Sequence, residues 1–200
     1  NFVGLTIAPS RGIVDTGAQY GVVGKTAYDS WSRELAKYGL QPRVVPNVND
    51  SASGVGGVGQ VSFTALMPYG WGAKHCGLLT MMVMETDVPP LIPIGLLKQE
   101  NMLLDLFTEK AIWRQTDRRG PCESQIYFEP SGHISVDMCD FPPGGWIDPT
   151  KNEAGVHYED ILPRFRVEGG FSLHASVPDG GPLHPKTKTS IKSTPVAAPM

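Results

Sequence analysis

The sequence predicts a mainly β fold with one or two short helices, a C-terminal hairpin and an irregular tail. Three observations carry this. Gly (23) and Pro (18) are abundant among the 200 residues, which disfavours long helices and favours strands and turns. One segment repeats its apolar residues clearly at helical spacing. Several others alternate, or stay apolar over strand lengths, between glycines and prolines.

Taken in order, residues 2–9, "FVGLTIAP", alternate weakly and read as a strand. "GIVDTGA" reads as a second strand ending in a turn. In "GKTAYDSWSRELAKYGL", Tyr28, Trp31, Leu35 and Tyr38 recur three and four apart and Gly39 is a stop signal, so this is the clearest helix. "SASGVGGVGQVSFTALMPYG" is a glycine-dense hairpin tip leading into a strand with Val61, Phe63 and Ala65 on one face. "HCGLLTMMVMETD" is nearly continuous in apolar residues, as a strand covered on both faces is. "PPLIPIGLL" starts extended because proline disfavours helix before and within it, then allows a short helix around 96–102. "LLDLFTEKAIW" reads as one strand bending at 108–109. After Arg114 the texture changes: "TDRRGP" is a linker, and "QIYFEPSGHISVDMCDF" is a hairpin turning at 130–132 with Ile134, Val136 and Met138 alternating. From Pro142 onward prolines recur without apolar periodicity, the composition of an irregular or disordered tail. The organisation is therefore a first domain at 1–116, a linker and hairpin extension at 117–141, and a tail at 142–200.

Composition excludes several function classes. A net charge of −3 gives no electrostatic case for nucleic acid or an anionic membrane. The one basic cluster, "HPKTKTSIK", lies in the tail and reads as solvated. The longest apolar run, "GLLTMMVM", falls far short of the roughly 20 residues a membrane-spanning helix needs. Three cysteines, Cys76, Cys122 and Cys139, form no regular framework, so reduced thiols and an intracellular, cytoplasmic setting are expected. A chain opening on Asn1 reads as a segment cut from a longer one.

The chemistry centres on "GIVDTGAQYGVVG". Asp15 follows two β-branched residues and precedes Thr-Gly. A glycine permits a tight backbone path beside the acid, and turn amides can donate to the carboxylate. Two such loops face to face would hold two carboxyls within hydrogen-bond reach. Like charges that close cannot both ionise, so the pair shares a proton; one acts as base on a water while the other donates to a carbonyl oxygen. As a tripeptide, Asp-Thr-Gly is also an ordinary turn sequence; its apolar and glycine-rich context strengthens the reading.

"IVDTGA", then "GVGGVG", then "DVPPLIPIGLLKQENMLLDL" together resemble the retropepsin-like aspartic proteases of retroviruses and retrotransposons. The resemblance spans about residues 5–113. It implies a retropepsin-like closed barrel, an acid-protease half, in which Asp15 is catalytic, Thr16 locks paired active-site loops, Gly17 gives the close turn and Ala18 borders substrate. Gly56, Gly57, Val58 and Gly59 would form the tip of a flap closing over the peptide. It implies an aspartic endopeptidase that processes its own polyprotein and needs no metal or organic cofactor. The chain departs from the family where Pro93 interrupts "LIPIGLL" and where a helix is inserted between Asp15 and the flap.

The chain holds no second Asp-Thr-Gly or Asp-Ser-Gly. An active enzyme would therefore be a homodimer with Asp15 from both copies in one site. The alternative is a catalytically silent dimerisation or peptide-binding module on the same scaffold. Other constellations are weaker. Cys122, His133 and Cys139 lack the paired spacing of zinc ligands. His133 reads as a surface or hairpin-capping residue. "GVGGVG" lacks the Lys-Ser/Thr ending of a phosphate loop.

Overall fold

The structure, a computed structural model, describes residues 7–47, 49, 51–54, 57–114, 121–146 and 172–176. The elements run β1 (Arg11–Asp15), β2 (Gly21–Gly24), α1 (Lys25–Ala36), β3 (Arg43–Val45), β4 (Ser51–Gly54), β5 (Gly57–Trp71), β6 (His75–Met84), β7 (Leu91–Pro93), α2 (Ile94–Gln99), β8 (Met102–Asp105), β9 (Lys110–Trp113), β10 (Cys122–Phe128), β11 (Ile134–Asp137) and β12 (Ser172–Ser176).

The strands form one twelve-stranded sheet with the path β3-β5-β6-β2-β7-β1-β11-β10-β9-β8; β4 pairs with β5 and β12 with β6. Two pairings, β1–β7 and β2–β6, are parallel and the rest are antiparallel. This corrects the expected fold class. The sheet does not close into a barrel: its ends, β3 and β8, do not pair among the described residues. The reason lies in β11. It takes the free side of β1, with Ile13 opposite Ser135, and carries the sheet outward through β10, β9 and β8. A closing strand would need that side of β1.

Local sequence explains most elements. In α1, Trp31 and Leu35 are fully buried and Tyr28 packs partly against the same core. Gly39 adopts φ +70°, a left-handed conformation that glycine takes without steric cost, and the helix ends before it. Tyr38, past the last turn, is exposed and meets Phe141 edge-on. All ten residues of β6 are buried, as their continuous apolar run requires. Pro93 does not interrupt an element: it ends β7 in an extended conformation and forms the N-cap of α2. That helix stops at Gln99, earlier than expected, and Asn101 follows at φ +48°.

The expected single strand at 103–113 is a hairpin. Asp105 Oδ1 accepts from the amides of Phe107 (3.0 Å) and Thr108 (3.1 Å), and Glu109 takes φ +54°, so the chain reverses between β8 and β9. The hairpin at 121–137 turns where expected, and Gly132 sits at φ +80°. Of the weakly alternating segment at 2–9, residues 2–6 lie outside the described residues and 7–9 form no strand. Within the tail, Ser172–Ser176 form a strand.

The core gathers Val23, Trp31, Leu35, Met67, Tyr69, Trp71, Met81, Ile92, Trp113 and Val136 among others. At its centre Trp71 and Trp113 stack at 3.8 Å with 6° between planes, and Tyr69 tilts against Trp71 at 4.3 Å. Buried aromatic rings need partners for their polar tips. Trp113 Nε1 donates to Ser124 Oγ (3.1 Å), Tyr69 Oη to Glu100 Oε1 (3.1 Å), and Trp71 Nε1 to Met138 Sδ (3.4 Å). Cys76, Cys122 and Cys139 are all buried and none is in a disulfide.

Candidate active-site loop

Asp15 is the last residue of β1 and lies in register with Pro93 of the parallel β7. Beneath it, Ile13 and Ile92 are fully buried, so the strand is anchored from the core side. Ile13 N donates to Pro90 O at 2.7 Å. The chain then turns through Thr16 and Gly17. Gly17 N and Ala18 N donate to Asp15 Oδ1 at 2.8 and 3.2 Å. Ala18 O in turn accepts from Ile94 N at 2.9 Å. The loop is thus tied to its own carboxylate at one end and to the first residue of α2 at the other.

This geometry has a clear chemical consequence. Oδ1 is held by two amides, which fixes the plane of the carboxyl group. Oδ2 has no hydrogen-bond partner among the described residues, so it is open to a water or a second carboxyl. Asp15 is half-buried, while Thr16 and Gly17 are exposed. A Cβ on Gly17 would stand 3.3 Å from Asp15 Oδ1, tighter than an ordinary contact, so glycine keeps the amide close to the acid. The Thr16 hydroxyl makes no hydrogen bond among the described residues.

The glycines that close the motif have their own role. A Cβ at Gly21 would lie 2.4 Å from Thr80 O, and one at Gly24 would lie 2.3 Å from Thr86 O and 2.5 Å from Val88 N. Both therefore mark places where β2 presses against neighbouring backbone. Gly24 N also donates to Val88 O at 2.7 Å. This close approach positions the segment leading into β7, and β7 is the strand beside Asp15.

Of the remaining expected site residues, Gly57, Val58 and Gly59 open β5, which pairs with β4. Ser51 to Gly54 pair with Gln60 back to Gly57. Val58 is exposed and Gly59 lies against Met84. Gly56 lies outside the described residues. No hydrogen bond or ion pair joins this hairpin to Asp15 among the described residues, and Asp15's carboxylate bonds there only the amides of its own loop. No group of three or more His, Cys, Asp or Glu side chains is arranged to hold a metal among those residues, and no helix there is long and apolar enough to cross a membrane.

Two features escape a reading of the sequence alone. The first is a cluster at the start of the Asp15 strand. Arg11 lies over the Tyr127 ring at 3.5 Å and pairs with Glu129 at 3.3 Å, and Ser135 also donates to Glu129. Arg11, Tyr127 and Ser135 lie on β1, β10 and β11 and Glu129 directly follows β10, and no local pattern connects them. The second is Asp105, whose turn repeats the amide-to-carboxylate arrangement of Asp15. It lies on the outermost strand of the sheet path and closes a hairpin. The turn is therefore a general local device, and what sets Asp15 apart is its place beside a parallel strand over a packed core. Comparison with protein-family models, with curated proteins and with solved structures gives no match.

Proposed function

We propose that the chain supplies one half of an aspartic-type endopeptidase whose site forms when two copies bring their Asp15 carboxyls together. One observation carries the reading: Asp15 is clamped through Oδ1 by Gly17 N and Ala18 N, while its loop lies at the surface and Oδ2 takes no hydrogen bond among the described residues. A single chain has no second loop of this sequence, which is why a second copy is required.

The chemistry follows from two carboxyls sharing one proton. The ionised carboxyl takes a proton from a water as its oxygen bonds to the peptide carbonyl carbon. The protonated carboxyl donates to the carbonyl oxygen. The tetrahedral species then collapses, the C–N bond breaks, and the amine leaves with a proton from the carboxyl that had received it. No step calls on a metal or an organic cofactor. The substrate is an extended peptide, with the chain's own polyprotein as the natural candidate. Ala18 borders the substrate, and Gly56, Gly57, Val58 and Gly59 form the flap tip that covers it. Three buried thiols outside any disulfide fit a reducing, cytoplasmic compartment.

The test is cleavage of a mixed peptide library between about pH 4 and 7, the range in which shared-proton carboxyl pairs work, with wild type and Asp15→Asn in parallel. Wild type is expected to cleave and Asp15→Asn to lose at least about 100-fold, the scale of a general acid–base contribution. Equal activity in the two proteins, or no cleavage at concentrations where sedimentation shows a dimer, would overturn the proposal. The second of these results is the one expected of a silent dimerisation or peptide-binding module.

A further inference from the structure

The edge of β6 is shared. Its C-terminal half, Met81 to Met84, pairs with β2, while His75 to Leu79 pair with β12 from the tail. On the other side β5 runs along both halves. Without β12, five consecutive buried residues, "HCGLL", would present bare main-chain groups along an apolar strand. Such an edge recruits another extended chain.

Two stretches of chain reach the His75–Leu79 half of β6. Trp146 Nε1 donates to Gly77 O at 3.1 Å, and the same Gly77 lies opposite His174 of β12. β12 itself is a five-residue strand that, among the described residues, pairs with β6 alone. A strand that short, held on one side through its main chain, is a ligand by construction: main-chain bonds give the affinity and any extended peptide can supply them.

We propose that the His75–Leu79 edge of β6 is a peptide-binding site that works by strand addition, and that β12 occupies it in cis as a displaceable strap. The site takes an antiparallel extended peptide of the tail's own sequence. Orientation adds a consequence. β12 is antiparallel and β2 parallel to β6, so their first residues meet about Thr80, with Ser172 opposite Leu79 and Gly21 opposite Met81. A bound strand therefore points its N-terminal end at the beginning of β2, next to the loop that carries Asp15. The binding proposal stands without the hydrolytic reading.

The experiment uses the full chain and a labelled peptide, GFSLHASVP, matching residues 170–178. Gly70 N bonds Met138 O, away from β6, so Cys76 opposite it turns its main-chain groups towards β12. Ala175 lies opposite Cys76, so Ala175→Pro removes a main-chain N–H that faces β6 and disfavours the pairing. Tethered strands compete at an effective concentration on the order of millimolar, so Ala175→Pro is expected to bind the peptide at least about 100-fold more tightly than wild type by fluorescence anisotropy. A peptide carrying the same proline is expected not to bind. Equal binding by wild type and Ala175→Pro, or none by a folded Ala175→Pro, overturns the proposal. Hydrogen exchange on the unaltered chain gives an answer even if the variant fails to fold. Saturating peptide is expected to strip protection from 172–176 while 75–79 keep theirs. Protection at 172–176 that millimolar peptide leaves unchanged refutes displacement.

Discussion

Gly24→Ala is the sharpest probe of the scaffold behind Asp15. The new methyl group would lie 2.3 Å from Thr86 O, 2.5 Å from Val88 N and 2.9 Å from Val88 O. All three are backbone atoms, so no side chain can swing aside. Forcing a methyl into such a site costs about 1–3 kcal/mol. Gly24 is also the N-cap of α1, without a side-chain cap bond, and alanine is a poorer N-cap than glycine by roughly 0.5 kcal/mol. Against this, alanine reduces the freedom of the unfolded chain, which returns about 0.4–1 kcal/mol. The net loss is about 2 kcal/mol, or a fall in Tm of about 4–8 °C for a chain of this size. Gly24→Ser sharpens the test. At an open N-cap, serine is ordinarily stabilising, but here its Cβ meets the same three atoms. Gly144→Ala is the control, because a Cβ there has nothing within 4 Å. The assay is thermal melting of the three variants by circular dichroism. A Gly24→Ser protein that melts at or above wild type would refute the close approach of β2 to residues 86–88.

Three further outcomes are expected. Burial, and then the charge of Asp137, pushes the Cys139 thiol up to about 12, and Cys76 and Cys122 are also buried. The native protein should therefore resist a thiol reagent at pH 8 and expose all three thiols only on unfolding; because the fold favours neutral Cys139, stability should fall as pH rises from 9 towards 12. Burial, and then Asp137, raises the Asp140 carboxyl above 3.8, whereas bonds from Thr108 and then Phe107 hold Asp105 below it. An NMR titration should find them on opposite sides of 3.8. The stability that Asp140 contributes is full below 3.8 and lost as pH rises through its raised value, while that of Asp105 is present above 3.8 and lost as pH falls through its lowered value. Asp140→Asn should accordingly gain a few tenths of a kcal/mol at pH 7, the amount being small because the group is largely solvent-screened, and nothing at pH 3. Phe107 is 97 % exposed, so Phe107→Ser should change stability by less than about 0.5 kcal/mol and lessen self-association at high concentration by light scattering; a larger loss of stability would place Phe107 in a contact.

Legibility followed the range of the interactions. The run "GIVDTGA" shows its strand and turn because the carboxylate bonds amides two and three residues on, a local event. The helix at Tyr28, Trp31 and Leu35 is equally local, as is the turn at Gly132. The fold class was not legible, because closure or opening of the sheet depends on which strand takes the free side of β1. Nothing in "HISVD" says that Ser135 will lie opposite Ile13. The hairpin at Asp105 was missed for a different reason: apolar Leu106 and Phe107 disguise a turn made by the aspartate side chain. Gly21 and Gly24 carry no local signal of their role, and only the positions of Thr80, Thr86 and Val88 show why a side chain does not fit. Of the candidate loop, the bonds from turn amides to Asp15 could be read from the sequence; the Ile94 bond to Ala18 and the Arg11–Glu129 pair could not.

Whether Asp15 acts in pairs can be decided without seeing the dimer. Wild type is mixed with Asp15→Asn at a fixed total concentration, high enough that all chains are paired, and allowed to exchange. Because the substitution leaves the loop and its amides in place, the two kinds of chain should pair at random. If cleavage needs a carboxyl from each copy, only wild-type pairs work, and activity follows the square of the wild-type fraction. An equal mixture then retains about a quarter of the activity of pure wild type. If each chain carries a complete site, activity follows the fraction itself and about half remains. The two curves differ most at equal mixing, where the gap is well outside assay error. A linear dependence would place the second catalytic group within the same chain. It would also remove the reason for invoking a dimer, since Asp15 alone has one oxygen clamped by Gly17 and Ala18 and only the other free to work on water.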